Sequence, residues 1–235
     1  KMLTFEGELI EERLSREKHP NKLFFSYANT VATIDFAKQF KGHGWVGLRF
    51  QLDENEDYNE IVFHVKFNEN DATLQQETLG SLGVNLIYGA YNLSDNPRKL
   101  IESLYDDIST DNVEIDMIDF SGPAFTYVDN RLMSLQLVKN GMTDAVIFNP
   151  EGNNMLPADI LYKKNIFAVR GSFRPVTLVN IDMFENGLEM FMKDSSCSFE
   201  ETVVLFEITI SNLRAAGDID ERDFLDRVDV LAKLG

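Results

Sequence analysis

The chain predicts an α/β fold built on a mainly parallel sheet, either doubly wound or barrel-like. Three observations carry that expectation. From Glu60 onward, strand-like and helix-like segments alternate about six times, the pattern of crossover units. The strand-like run at residues 203–210 is close to continuously apolar, as in strands buried on both faces. The segments between them are of helix length rather than hairpin length.

Taken in order, residues 2–18 place Leu9, Ile10 and Leu14 on a helical stripe that His19-Pro20-Asn21 ends, so this segment reads as an arm. Residues 23–28 read as a strand. Residues 31–40 read as a helix with Val31, Ile34, Phe36 and Phe40 inward, Gly42-His43-Gly44 as a turn, and residues 45–52 as a strand. A strand over 60–67, a helix over 71–82 ended by Gly83, and a strand over 85–91 follow. Asp95-Asn96-Pro97 opens a helix with a side-chain acceptor at its cap and proline in its first turn, carrying Leu100, Ile101, Leu104 and Ile108 inward. Residues 113–120 are extended. Asp129 caps a helix bearing Leu132, Leu135, Leu137 and Val138, which Asn140-Gly141 closes.

A short strand over 145–148, a short helix over 157–164 and a strand over 166–169 come next. The helix over 179–193 turns Ile181, Phe184, Leu188 and Phe191 inward, and a long strand over 203–210 follows it. Asp220 caps a final helix with Phe224, Leu225, Val228 and Leu231 on one face. In domain terms, residues 1–44 form an arm and first units, and residues 45–235 the main α/β domain. The chain begins at Lys1 and stops after a helix, where a further strand is expected, so a longer parent protein is anticipated.

The 235 residues, 44% hydrophobic and 26% charged, suffice for one substantial core. A formal net charge of −17 argues against general binding to nucleic acid or to an anionic membrane, since both would repel the chain at long range. No apolar run approaches the roughly 20 residues that a spanning helix needs. Cys197 is the sole cysteine, which rules out an intrachain disulfide and a cysteine zinc cluster and fits a reducing cytoplasm.

Against this acidity, residues 152–181 hold Lys163, Lys164, Arg170 and Arg174 with Asp159 alone opposing them. The turn at 170–177 joins a strand to a helix start, where unpaired N–H groups and the positive dipole end favour anions. Arg170, Gly171, Ser172, Arg174 and Thr177 are therefore candidate phosphate contacts, with Lys163, Asn149 and Asn180 as further ligand contacts. Asp116, Asp119 and Glu207 are candidate oxygen ligands for magnesium, although no spacing singles out a metal site. His19, His43 and His64 stand at no recognisable distance from a serine or cysteine, which weakens a hydrolase reading.

Across residues 45–234, and most clearly at 79–90, 129–144 and 161–177, the chain resembles an uncharacterised bacterial family. That family is labelled nicotinate-nucleotide adenylyltransferase, and elsewhere TonB-dependent outer-membrane receptor. Adenylyltransferases of that class carry Gly-x-Phe-x-Pro-x-His/Thr-x-Gly-His. Gly171, Phe173, Pro175 and Thr177 match it, while Val179 and Asn180 stand at its final glycine and histidine. The cationic turn points to a phosphorylated or nucleotide-like small molecule, with magnesium bridging carboxylate and phosphate, and the resemblance implies a nucleotidyltransferase-like transferase. The incomplete motif leaves a second expectation open, a noncatalytic α/β subunit acting in homo-oligomeric assembly.

Overall fold

The computed structural model describes residues 1–14, 18–19, 22–32, 41–193 and 197–234. It divides into two compact units, Lys1–Val146 and Ile147–Gly235. The sequence boundary expected at 44/45 falls inside a strand that pairs along its whole length with the strand before it.

The first unit corrects the expected fold class. Its sheet is antiparallel, with α1 (Met2–Arg13) followed by β1 (Phe25–Ala32), β2 (His43–Phe50) and β3 (Asn59–Phe67), then α2 (Ala72–Asn92), α3 (Pro97–Ser103) and β4 (Val113–Ser121). The strand order is β1-β2-β3-β4 and every pairing is antiparallel, so this sheet is neither doubly wound nor a barrel. Continuous apolarity misled because the strands here are covered on more than one side. Ile61, Phe63, Val65 and Phe67 face a core shared with Leu82, Leu86 and Ala90 of α2 and Leu100 and Ile101 of α3. Each such burial contributes about 1.5–3 kcal/mol.

The strand expected over 85–91 is the second half of α2. Asp71 caps that helix, accepting from the N–H groups of Thr73 and Leu74, and the buried stripe Thr78, Leu82, Leu86, Ala90 keeps helical period past Gly83. Gly83 serves packing instead of ending the helix, since a Cβ there would stand 2.9 Å from the Tyr27 hydroxyl. The helix expected over 31–40 falls on 33–40, outside the described residues, while Val31 and Ala32 belong to β1.

A bulge interrupts the β3–β4 pairing. His64 pairs with Met117 and Val65 with Ile115, leaving Asp116 as the extra residue. The insertion re-phases β4, so Val113 and Ile115 before it and Ile118 and Phe120 after it all reach the core. Past β4, α4 (Asn130–Lys139) is capped by Asp129 and ends at Gly141, whose φ of +70° suits a residue without a side chain. Asn130 lies beside β4: its Oδ1 accepts from Phe120 N–H at 2.9 Å and its Nδ2 donates to Phe120 C=O at 3.1 Å.

The second unit retains a parallel element. It comprises the two-residue strands β5 (Ile147–Phe148) and β6 (Asn154–Met155), α5 (Pro157–Leu161), β7 (Asn165–Arg170), α6 (Leu178–Met192), β8 (Thr202–Glu207), α7 (Ile210–Leu213) and α8 (Glu221–Leu231). β7 and β8 pair in parallel from Asn165↔Thr202 to Arg170↔Glu207, with α6 as the crossover. The strand expected to run to 210 stops at Glu207, because Thr209 caps α7 by accepting from Asn212 N–H.

Candidate functional site

The turn at 170–177 follows β7 and leads into α6. Its path bends sharply, with Phe173 at φ 47° and only 4% exposed, its ring edge-on to Phe206 at 5.8 Å. Gly171 is required by that packing, since a Cβ would meet the Phe173 ring at 3.0 Å, and its N–H donates to Glu207 C=O. Thr177 and Asn180 form a reciprocal capping box on α6: Thr177 Oγ1 accepts from Asn180 N–H, and Asn180 Oδ1 accepts from Thr177 N–H. Asn180 is thus occupied in starting the helix.

The cations of the turn are paired. Arg170 reaches Glu207 at 2.9 Å and Arg174 reaches Asp223 at 3.0 Å. Arg227, which the sequence reading did not select, lies buried behind them. It donates from Nη1 to Ser172 C=O at 2.9 Å and from Nη2 to Asp223, while its buried Nε has no partner. Three guanidinium groups therefore share two carboxylates. Lys163 lies over the Tyr162 ring, 5.0 Å from its centroid, and Asn149 holds its own loop by accepting from Asn153 N–H.

The three proposed magnesium ligands are divided between the units. Asp116 is 2% exposed, with Oδ1 at 2.7 Å from His64 Nδ1 and Oδ2 at 2.7 Å from Lys66 Nζ, so both oxygens already face cation-forming groups. Burial works to raise its pKa, but His64 and Lys66 outweigh it and hold the carboxyl below the ordinary range. Asp119 stands on β4 at an exposed position, and Glu207 is the partner of Arg170. Among the described residues, no group of three or more His, Cys, Asp or Glu side chains is placed to hold a metal ion.

The larger feature is what the second unit leaves uncovered. Phe167 packs on Phe184 and Phe191 of α6 at 6.3 and 5.4 Å, and Phe206 packs on Phe184 at 5.2 Å. Alternation along each strand then places Ile166, Ala168 and Arg170 of β7, with Val203, Leu205 and Glu207 of β8, on the opposite face. That face is apolar except for the Arg170–Glu207 pair at its end. Ile166 is 43% exposed, Ala168 is exposed, and Val203 and Leu205 are half-buried. The signal was present in the sequence as the alternation Ile166, Phe167, Ala168, Val169, in which both sides are apolar.

No protein-family model, curated protein or solved structure matches this chain. Among the described residues, no helix is long and apolar enough to cross a membrane.

Proposed function

We propose that the chain is an assembly subunit that joins a second copy of itself through the open face of β7 and β8. One observation carries the reading. Parallel strands are ordinarily covered on both faces, yet Ile166, Ala168, Val203 and Leu205 form an apolar face opposite α6 that retains solvent exposure. A second copy suits it because the Arg170–Glu207 pair ends the patch with one charge of each sign. Two such pairs related by a two-fold axis can set Arg170 of each copy against Glu207 of the other, a contact that adds no net charge between two chains of −17. Light scattering on the purified chain tests this: a dimer that Ile166→Glu converts to monomer is expected, and a monomeric wild type at tens of micromolar, roughly the concentration a weak dimer needs, refutes it.

A second reading, an anion site at residues 170–177, is favoured by the surplus of guanidinium groups. Arg170, Arg174 and Arg227 outnumber Glu207 and Asp223, and Arg174 is half-exposed. A phosphorylated or nucleotide-like ligand, with or without magnesium, would take up that surplus beside the start of α6. A thermal-shift panel of nucleotides and inorganic phosphate separates the readings. Stabilisation of wild type that Arg174→Ala abolishes supports the anion site, and no shift with any ligand removes it.

A further inference from the structure

α6 carries on its outer side a second stripe that is apolar at three of its four positions, the fourth being Asn186, which donates to Asp182 C=O and Oδ1. Ile181, Phe184, Leu188 and Phe191 fall on the side that packs against β7 and β8, where Phe184 and Phe191 touch the strand phenylalanines. Val179, Met183, Asn186 and Met190 recur at spacings of four, three and four residues on another side of the same helix. Val179, Met183 and Met190 are 65%, 63% and 73% exposed. That spacing is the seam of helix-to-helix packing, in which apolar residues at most positions, with a polar residue tolerated at one, meet a facing helix that fills the gaps. Unbranched methionines at two of the positions adapt to varied partners.

The charges beside the stripe indicate which partner. Asp182, Glu185 and Glu189 lie along one flank, all on the exposed surface of α6. The helix's neighbouring cation, Lys193, is paired with Glu189 at 2.7 Å. On the other flank stand Asn180, held in the capping box, and Gly187, where a Cβ would meet the Phe167 ring at 3.0 Å. An uncharged flank, an apolar seam and an acidic flank complement a helix with an apolar stripe bordered on one side by lysine or arginine. A second copy of α6 would bring its own acids and lacks that complement. We infer that α6 docks a cationic amphipathic helix of another protein along Val179, Met183, Asn186 and Met190.

The inference does not depend on the sheet-face dimer, because α6 and the Ile166 face lie on opposite sides of the βαβ layer. It is tested with the full chain and two idealised peptides of about 18 residues, five helical turns, one patterned from leucine and lysine and the other from leucine and glutamate. Fluorescence anisotropy of the labelled leucine–lysine peptide should report binding, weakened about tenfold by Met183→Ser with Met190→Ser. Leu74→Ser, on an exposed residue of α2, should leave it unchanged. Asp182→Lys with Glu185→Lys, which leaves Val179, Met183 and Met190 in place, should weaken the cationic peptide and admit the anionic one. Absence of binding, equal binding of both peptides by wild type, or insensitivity to both α6 variants overturns the proposal. Circular dichroism confirms that each variant is folded, and dimer mass measured alongside reports separately on the sheet face.

Discussion

Reciprocal charge exchange between Arg170 and Glu207 gives the sharpest test of self-assembly. Within one copy the pair is 2.9 Å apart, with side chains 68% and 41% exposed, so breaking it costs the fold at most about 1 kcal/mol. Across a two-fold interface every substitution acts twice. Arg170→Glu replaces two attractive contacts by two acid–acid contacts. At about 0.5 kcal/mol for each attraction lost and each repulsion gained, dimerisation weakens by about 2 kcal/mol, roughly thirtyfold. Glu207→Arg does the same with the opposite sign. When the two variants are mixed, an all-acid end meets an all-basic end and the contacts return. Analytical ultracentrifugation at about 0.15 M salt, where the Debye length is about 8 Å, should find each variant shifted toward monomer and the mixture restored to dimer. A mixture no more associated than its components would refute the pairing of these residues across the interface, even if the wild type dimerises.

The remaining predictions concern the first unit. Asp116→Asn removes the buried anion that His64 and the partly exposed Lys66 both face and should cost about 3 kcal/mol at neutral pH in urea unfolding. Because the folded Asp116 pKa is depressed, its contribution is present above the ordinary carboxylate range and is lost as pH falls below it; the variant should therefore show a flatter acid limb. Tyr105 donates to Val113 C=O at 2.8 Å and its pKa is raised, chiefly by burial. Its contribution is full below the ordinary tyrosine range and is lost as pH rises through and above it. Tyr105→Phe should cost about 1 kcal/mol at neutral pH and reduce the alkaline loss of stability above about pH 10. Gly44→Ala would drive a Cβ into Thr30 C=O and should destabilise by roughly 1–3 kcal/mol, read from the thermal midpoint. Gly80→Ala, on open helix surface, should stabilise by roughly 0.5–1 kcal/mol in the same assay.

The sequence disclosed individual elements better than their connection. Helix caps at Asn96, Asp129 and Asp220 are local chemistry and are where the sequence places them. Strand direction is not local. The 60–67 and 113–120 runs look the same whether paired in parallel or antiparallel, and a helix between them is compatible with either. Gly83 reads as a stop until Tyr27, far away in sequence, shows why a side chain is excluded there. The cationic turn was legible as a concentration of charge, but not the carboxylates that answer it. Asp223 lies almost fifty residues after Arg174, on α8, and one acid among so many gives no hint of its partner. The bulge that brings Asp116 to His64 was likewise hidden, since it depends on register.

The Asn130 amide at Phe120 has a bearing on aggregation. An edge strand with free N–H and C=O groups recruits other strands, and in a chain with so many β-branched and aromatic runs that is a hazard. Asn130 takes the donor and acceptor of Phe120 as a neighbouring strand would, and Met142 C=O accepts from Ile115 N–H at 3.2 Å. These two obstructions near the start and end of β4 leave an incoming strand no uninterrupted ladder on that side. Asn130→Ala would reopen part of it, and slow fibril growth, rather than loss of fold, is the damage to watch for.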